Sequence, residues 1–268
     1  MKSSVPEHKA KSCPYCGGLG PFSREHIFPE WLCRIRGPRG TNVNYSAAFP
    51  EKAILSDTVI GDVCGRPCNN NVLSKLDEYA KKVLVPALSA ADSGGAVDLC
   101  VDRNRLLRWV LKVLFNCARA TDVELARHYE QLVPFITGEA DQTPVCIDLW
   151  IAVVSQVRST ERERTAGAGE TVGTGDDKIC YLGCFGDDVE FAPCLFVGPL
   201  IHQVLIWSRG TDRAGRRRLF NKWHDEMQFE RISELSRAVH IEPSTLDART
   251  SMYEITMYRP DIGVEGRK

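Results

Sequence analysis

Long apolar runs are missing from this chain. Its most apolar stretch, residues 191–207, is interrupted by Pro193, Gly198, Pro199, His202 and Gln203, so it falls short of the ~20 apolar residues a membrane-crossing helix needs. Residues 1–11 are polar and lack the apolar segment of a secretory signal. Net charge is also nearly absent: 34 Lys and Arg against 35 Asp and Glu give a formal charge of -1. That excludes a global basic field, and any contact with nucleic acid has to come from local patches. No internal repeat recurs at a fixed period. These absences leave an ordinary soluble protein, expected in the cytoplasm and without a membrane partner.

Cysteine is what the chain has in excess, with 11 in 268 residues. In a reducing compartment clustered cysteines point to metal binding rather than disulfides. Four of them form two close pairs, Cys13-Pro14-Tyr15-Cys16 and Cys64-Gly65-Arg66-Pro67-Cys68. A pair two or three residues apart makes a turn that aims both thiolates at one ion, and two such knuckles complete a tetrahedral zinc site. Residues 12–80 are rich in Cys, Gly, Pro and Asn, as in a small domain held by metal rather than by a large core. Two knuckles in that setting argue for zinc against four buried thiols. Cys33, Cys100, Cys117, Cys146, Cys180, Cys184 and Cys194 lack such turns and read as core thiols.

Between the knuckles lies SREHIFPEWL, residues 23–32, and directly after the second comes Asn69-Asn70-Asn71. Hydrolysis of a phosphodiester needs a base for water and a cation for phosphate charge. A histidine can be that base near neutral pH. Magnesium takes oxygen ligands such as a carboxylate and an amide. His26, Glu25 and Asn69 make up that set.

These residues resemble the HNH endonucleases of the treble-clef, ββα-metal type with a four-cysteine zinc site, as in recombination endonuclease VII and small bacterial and phage HNH proteins. The resemblance covers residues 12 to about 82. It implies structural Zn2+ on Cys13, Cys16, Cys64 and Cys68. It implies His26 as general base, with Glu25 and Asn69 binding a catalytic Mg2+ or Mn2+. It also implies a nucleic-acid substrate, DNA rather than RNA, and a setting in mobile elements or antiphage defence. Two departures stand out: the second knuckle has three intervening residues, which lets Asn70 take the place of Asn69, and the acidic residue is Glu. Asp77, eight residues past Asn69 on the same helix, is a further candidate ligand. The alternative is a zinc-stabilised module that binds nucleic acid or protein without cutting.

Two basic runs are candidate backbone grips: Arg34, Arg36 and Arg39 beside the motif, and Arg216, Arg217 and Arg218 with Phe220 and Trp223 nearby. Either can equally be a solvated face. Arg105, Arg108 and Lys112 read as the exposed side of a helix.

The expected fold class is α+β. A leader (1–11) precedes the zinc-stabilised nuclease domain (12–88). An α+β domain (96–268) follows, with a role in recognition, a protein partner or an activating signal. Apolar spacing predicts helices over 69–84, ended by Pro86, then over 102–119 and 122–132. Alternating apolar stretches predict antiparallel strands over 146–157, 179–185, 189–197 and 200–207, with a loop over 161–178.

Overall fold

The computed structural model describes residues 11–36, 42–43, 54–55, 58–121, 123–155, 179–182, 189–207, 210–212, 214–216, 218, 221, 229–233 and 237–247. After the first cysteine pair come β1 (Phe22–His26) and α1 (Glu30–Arg36). A short ladder of β2 (Asn42–Val43) and β3 (Ile54–Leu55) precedes β4 (Val59–Cys64), which returns to pair antiparallel with β1. From Cys64 the chain winds through a π-helical segment, Gly65–Leu73, straight into α2 (Ser74–Asp92). The N-terminal unit is thus a two-stranded hairpin backed by a helix.

β5 (Val97–Cys100), α3 (Arg103–Thr121), α4 (Val123–Glu130) and α5 (Val133–Thr137) follow. A sheet is then built from β6 (Ile147–Ser155), β7 (Ile179–Leu182), β8 (Val189–Phe191), β9 (Cys194–Val197), β10 (Leu200–Trp207) and β11 (Glu230–Ile232). β12 (Ala238–Ile241) pairs with β5, while β13 (Pro243–Asp247) joins β6. The sheet order is β11-β6-β10-β9-β7, with β8 added on β10. The class is α+β, and among the described residues every strand pair is antiparallel except β13 with β6, which is parallel. No helix among the described residues is long and apolar enough to cross a membrane.

Two breaks expected from proline fall differently. Pro86 does not end α2, which continues to Asp92. Pro86 is exposed, and Leu84, Ala87, Leu88 and Ala91 on the inner face are buried, so packing on both sides offsets the one lost hydrogen bond. The 189–197 stretch, in contrast, splits into β8 and β9 at Ala192-Pro193, where proline cannot donate to the ladder. Its carbonyl is used instead, accepting from Val204 N at 3.0 Å and Gln203 Nε2 at 3.1 Å. Residues 161–178 lie outside the described residues.

α3 runs through the middle of the core. Every residue from Trp109 to Ala118 is buried, the pattern of a helix covered on all sides. One side meets the N-terminal unit, where Tyr15 packs edge-on to Phe115 and Trp31 stacks on Trp109. Another meets the sheet, where Trp109 lies 6.1 Å from the His202 ring of β10. A single buried cluster therefore joins Cys13 to Ile241.

His202 is fully buried. Its Nδ1–H donates to Leu195 O at 3.3 Å, and Nε2 has no partner. Burial holds its pKa down to about 4, from 6.5, so the folded protein keeps the ring neutral. The unfolded chain binds the proton more readily, so stability is full above about pH 6.5 and falls as pH drops toward 4. At ~1.4 kcal/mol per pKa unit the loss is about 3 kcal/mol. The expected outcome is that the stability difference between wild type and His202→Leu, from urea titrations, shifts against wild type between pH 7 and pH 4. A difference constant over that range would overturn this assignment.

Candidate active site and metal centre

The first knuckle is closed by two backbone bonds, Gly17 N to Cys13 O and Cys13 N to Gly18 O, both 2.8 Å. Gly17 sits at φ +69, where a side chain would be strained. Gly18 matters for space: a Cβ there would lie 3.1 Å from Cys64 Sγ and 3.3 Å from Cys16 Sγ. Cys64 ends β4, and Cys68 sits on the π-helical segment.

The sulfurs of Cys13, Cys16 and Cys64 lie within 4.8 Å of one another, and Cys13 and Cys68 are 3.8 Å apart. Tetrahedral Zn–S bonds of ~2.3 Å give an S···S edge of about 3.8 Å, so the donor set fits a thiolate metal site. Burial opposes a charge on Cys13. Backbone N–H groups of Cys64, Tyr15 and Cys16 outweigh it and hold its pKa below the ordinary value. Burial and the neighbouring thiols push Cys64 and Cys68 up. Four crowded thiols cannot all ionise without a cation among them, and the backbone already favours one thiolate.

Beyond this cluster the 23–32 segment alternates. Glu25 is buried, whereas Arg24 is exposed and His26 half-buried. Ile27, Phe28 and Leu32 then anchor the segment in the core. The β1–β4 ladder slips by one residue between Ser23↔Val63 and Glu25↔Ile60, so Gly61 and Asp62 together face Arg24. Such bulges re-aim side chains and often border active sites.

Asn69 secures that irregularity. Its Nδ2 donates to Arg24 O and to Ser23 Oγ, both at 2.9 Å. Because the Arg24 carbonyl can only accept, the amide nitrogen must face it. The amide oxygen then has no hydrogen-bond partner among the described residues, and neither does the His26 ring. Asn70 is exposed on the same segment.

Glu25 has a different environment. Its Oε1 lies 2.7 Å from Lys112 Nζ, and Lys112 also donates to both oxygens of Asp77, at 2.8 and 2.7 Å. Trp109 Nε1 donates to Asp77 as well. The Lys112 side chain is 0% exposed and that of Glu25 5%. Burial opposes the lysine charge, but Asp77 and Glu25 together hold its pKa above the ordinary value. Burial raises Glu25, and Lys112 pulls it back only in part. The two acidic candidates thus meet around a lysine ammonium.

Lys112 was expected on an exposed face. The available signal was that Lys112 is the one polar residue between Trp109 and Phe115, a run too apolar to present a solvated side. Trp109, Lys112, Asn116 and Arg119, spaced by three and four, form the stripe that meets the N-terminal unit. Asn116 accepts from Tyr15 OH at 2.6 Å, and Arg119 pairs with Asp62.

Of the arginines, Arg34 is exposed and paired with Glu30 at 2.6 Å. Arg216 reaches Cys146 Sγ at 2.8 Å, and Arg218 is exposed. Arg39, Arg217 and the Arg36 side chain lie outside the described residues. A cleft of about 890 Å³ opens elsewhere, between the start of α3 and residues 141–147. No protein-family model, curated protein or solved structure matches the chain.

Asn69→Asp keeps the size of the side chain but removes the donor to Arg24 O. Leaving that carbonyl unpaired beside a carboxylate is expected to cost about 1–3 kcal/mol in a urea titration. An unchanged midpoint would show that Asn69 does not secure the bulge.

Proposed function

We propose that the chain is an endonuclease of the HNH type, cutting nucleic acid, DNA in preference to RNA. The observation that carries this reading is the pairing of a half-buried, unbonded His26 imidazole with an Asn69 amide oriented by the strand next to it. Both sit on the unit that carries the cluster of Cys13, Cys16 and Cys64, with Cys68 joined to it through Cys13.

In this reading zinc occupies the Cys13, Cys16, Cys64 and Cys68 cluster and is structural, tying β4 and the π-helical segment to the first knuckle. The unit is then a treble-clef ββα-metal domain. His26 takes a proton from the attacking water, and exposed Arg24 and Arg34 lie along the same segment to meet phosphate oxygens. A bound Mg2+ or Mn2+ would stabilise charge on the phosphate and leaving oxygen. Of the two donors expected for it, the Asn69 oxygen fits, whereas the Glu25 carboxylate is turned to Lys112. The sheet beyond α5 takes the recognition or regulatory role.

That hold on Glu25 favours a second reading, a zinc-stapled module that binds nucleic acid without cutting. The two are separated by incubating the protein with supercoiled plasmid, single-stranded DNA and RNA in magnesium, manganese or EDTA. The nuclease reading expects metal-dependent cutting, reduced at least ~100-fold in a His26→Ala variant that retains its zinc. Binding of the same substrates without cutting, by protein with intact zinc, would move the assignment to the second reading.

A further inference from the structure

Glu25 Oε1 and both oxygens of Asp77 converge on one point, 2.7 to 2.8 Å away, between the hairpin and the helices. Lys112 Nζ sits at that point. The lysine comes from α3, outside the segment that resembles an HNH module. It is sealed from solvent, so its ammonium cannot reach a substrate phosphate. Glu25 is also the residue before His26 in β1, and successive side chains of a strand point to opposite faces, so a Glu25 held inward turns His26 to the other face.

We propose that Lys112 takes the cation position between Glu25 and Asp77, and that Glu25 is a positioning residue for His26 rather than a ligand of a divalent ion. The role for His26 rests on the nuclease reading, whereas occupation of the cation position does not. The ammonium is a fixed, covalently supplied cation. It neutralises two buried carboxylates and ties β1, α2 and α3 together, so the orientation of His26 depends on a residue of the C-terminal part of the chain. A divalent ion bound for catalysis would then be held on the Asn69 side without Glu25.

The test is a Mn2+ titration, by calorimetry and by Mn2+ electron paramagnetic resonance, on full-length protein carrying its zinc. Lys112→Met keeps the length of the side chain and removes the charge. This variant is expected to gain a Mn2+ site that wild type lacks, and adding Glu25→Gln should abolish it. Failure of folded Lys112→Met to gain that site would overturn the proposal. If Lys112→Met does not fold, Glu25→Gln alone decides: unchanged Mn2+ affinity, within about twofold, supports the proposal, and tenfold weaker binding overturns it. Where wild type cuts plasmid, Glu25→Gln should lower kcat and leave the half-saturating Mn2+ concentration within about twofold. A rise of tenfold or more would make Glu25 a metal ligand. Wild type that cuts nothing removes the nuclease reading, and the Mn2+ titration still decides the role of Lys112.

Discussion

A lysine ammonium with no access to water must be neutralised where it lies, and in this protein that requirement binds three elements together. Lys112 is reached by Glu25 from β1 and by Asp77 from α2, and it is itself on α3. Removing one partner of such a buried group costs about 3–5 kcal/mol, because the charge that remains is left uncompensated. The intact triad adds much less net stability, since desolvation of all three groups offsets their attraction. What it supplies is registry. Carboxylates from a hairpin and a helix can meet one ammonium only when the strand and both helices are correctly placed.

The hairpin is therefore held from two sides by different chemistry. On the outer side four thiols gather the first knuckle, the end of β4 and the π-helical segment into one cluster. On the inner side α3 presents Trp109, Lys112, Asn116 and Arg119 in one stripe, and each takes a partner from the N-terminal part of the chain. Neither support does the work of the other. The thiol cluster fixes backbone segments close to it, and the α3 stripe fixes side chains at a distance from the sulfurs. A unit with so little core of its own gains from both.

How much of this was legible in the sequence depended on whether the determinant was local. The cysteine pairs announce their cluster because two close pairs, each able to aim both thiolates at one ion, are a local signal. β10 coincides with the expected strand over 200–207, since eight apolar-rich residues between turns have few other options. The two prolines show where locality fails. Pro86 and Pro193 carry the same chemical defect, but one is tolerated in a helix packed along its inner face and the other divides a strand whose ladder needs the missing donor. Lys112 was illegible for a related reason. Its charge implies solvent, and only the tertiary placement of α3, with Glu25 some ninety residues away in sequence, reverses that. The parallel pairing of β13 with β6 depends on contacts between distant segments and leaves no local pattern.

Under the nuclease reading, the polar side chains that the protein itself holds in the N-terminal unit are distinct from those left to a substrate. Glu25 and Asp77 are bound to Lys112, Tyr15 to Asn116, and the Asn69 nitrogen to the strand. Each of these contacts places something else. His26 and the Asn69 oxygen, both on half-buried residues, have no such contact among the described residues. A purely structural zinc unit gains nothing from orienting an amide so that its oxygen is left over, nor from a bulge that Asn69 must then secure. The acidic residue that the motif resemblance would place beside them has been drawn inward, and its charge is met by an ammonium already part of the chain. In the proposed nuclease reading the reactive part of the site is thus smaller than the motif implies, and the groups that position it extend further, into α3.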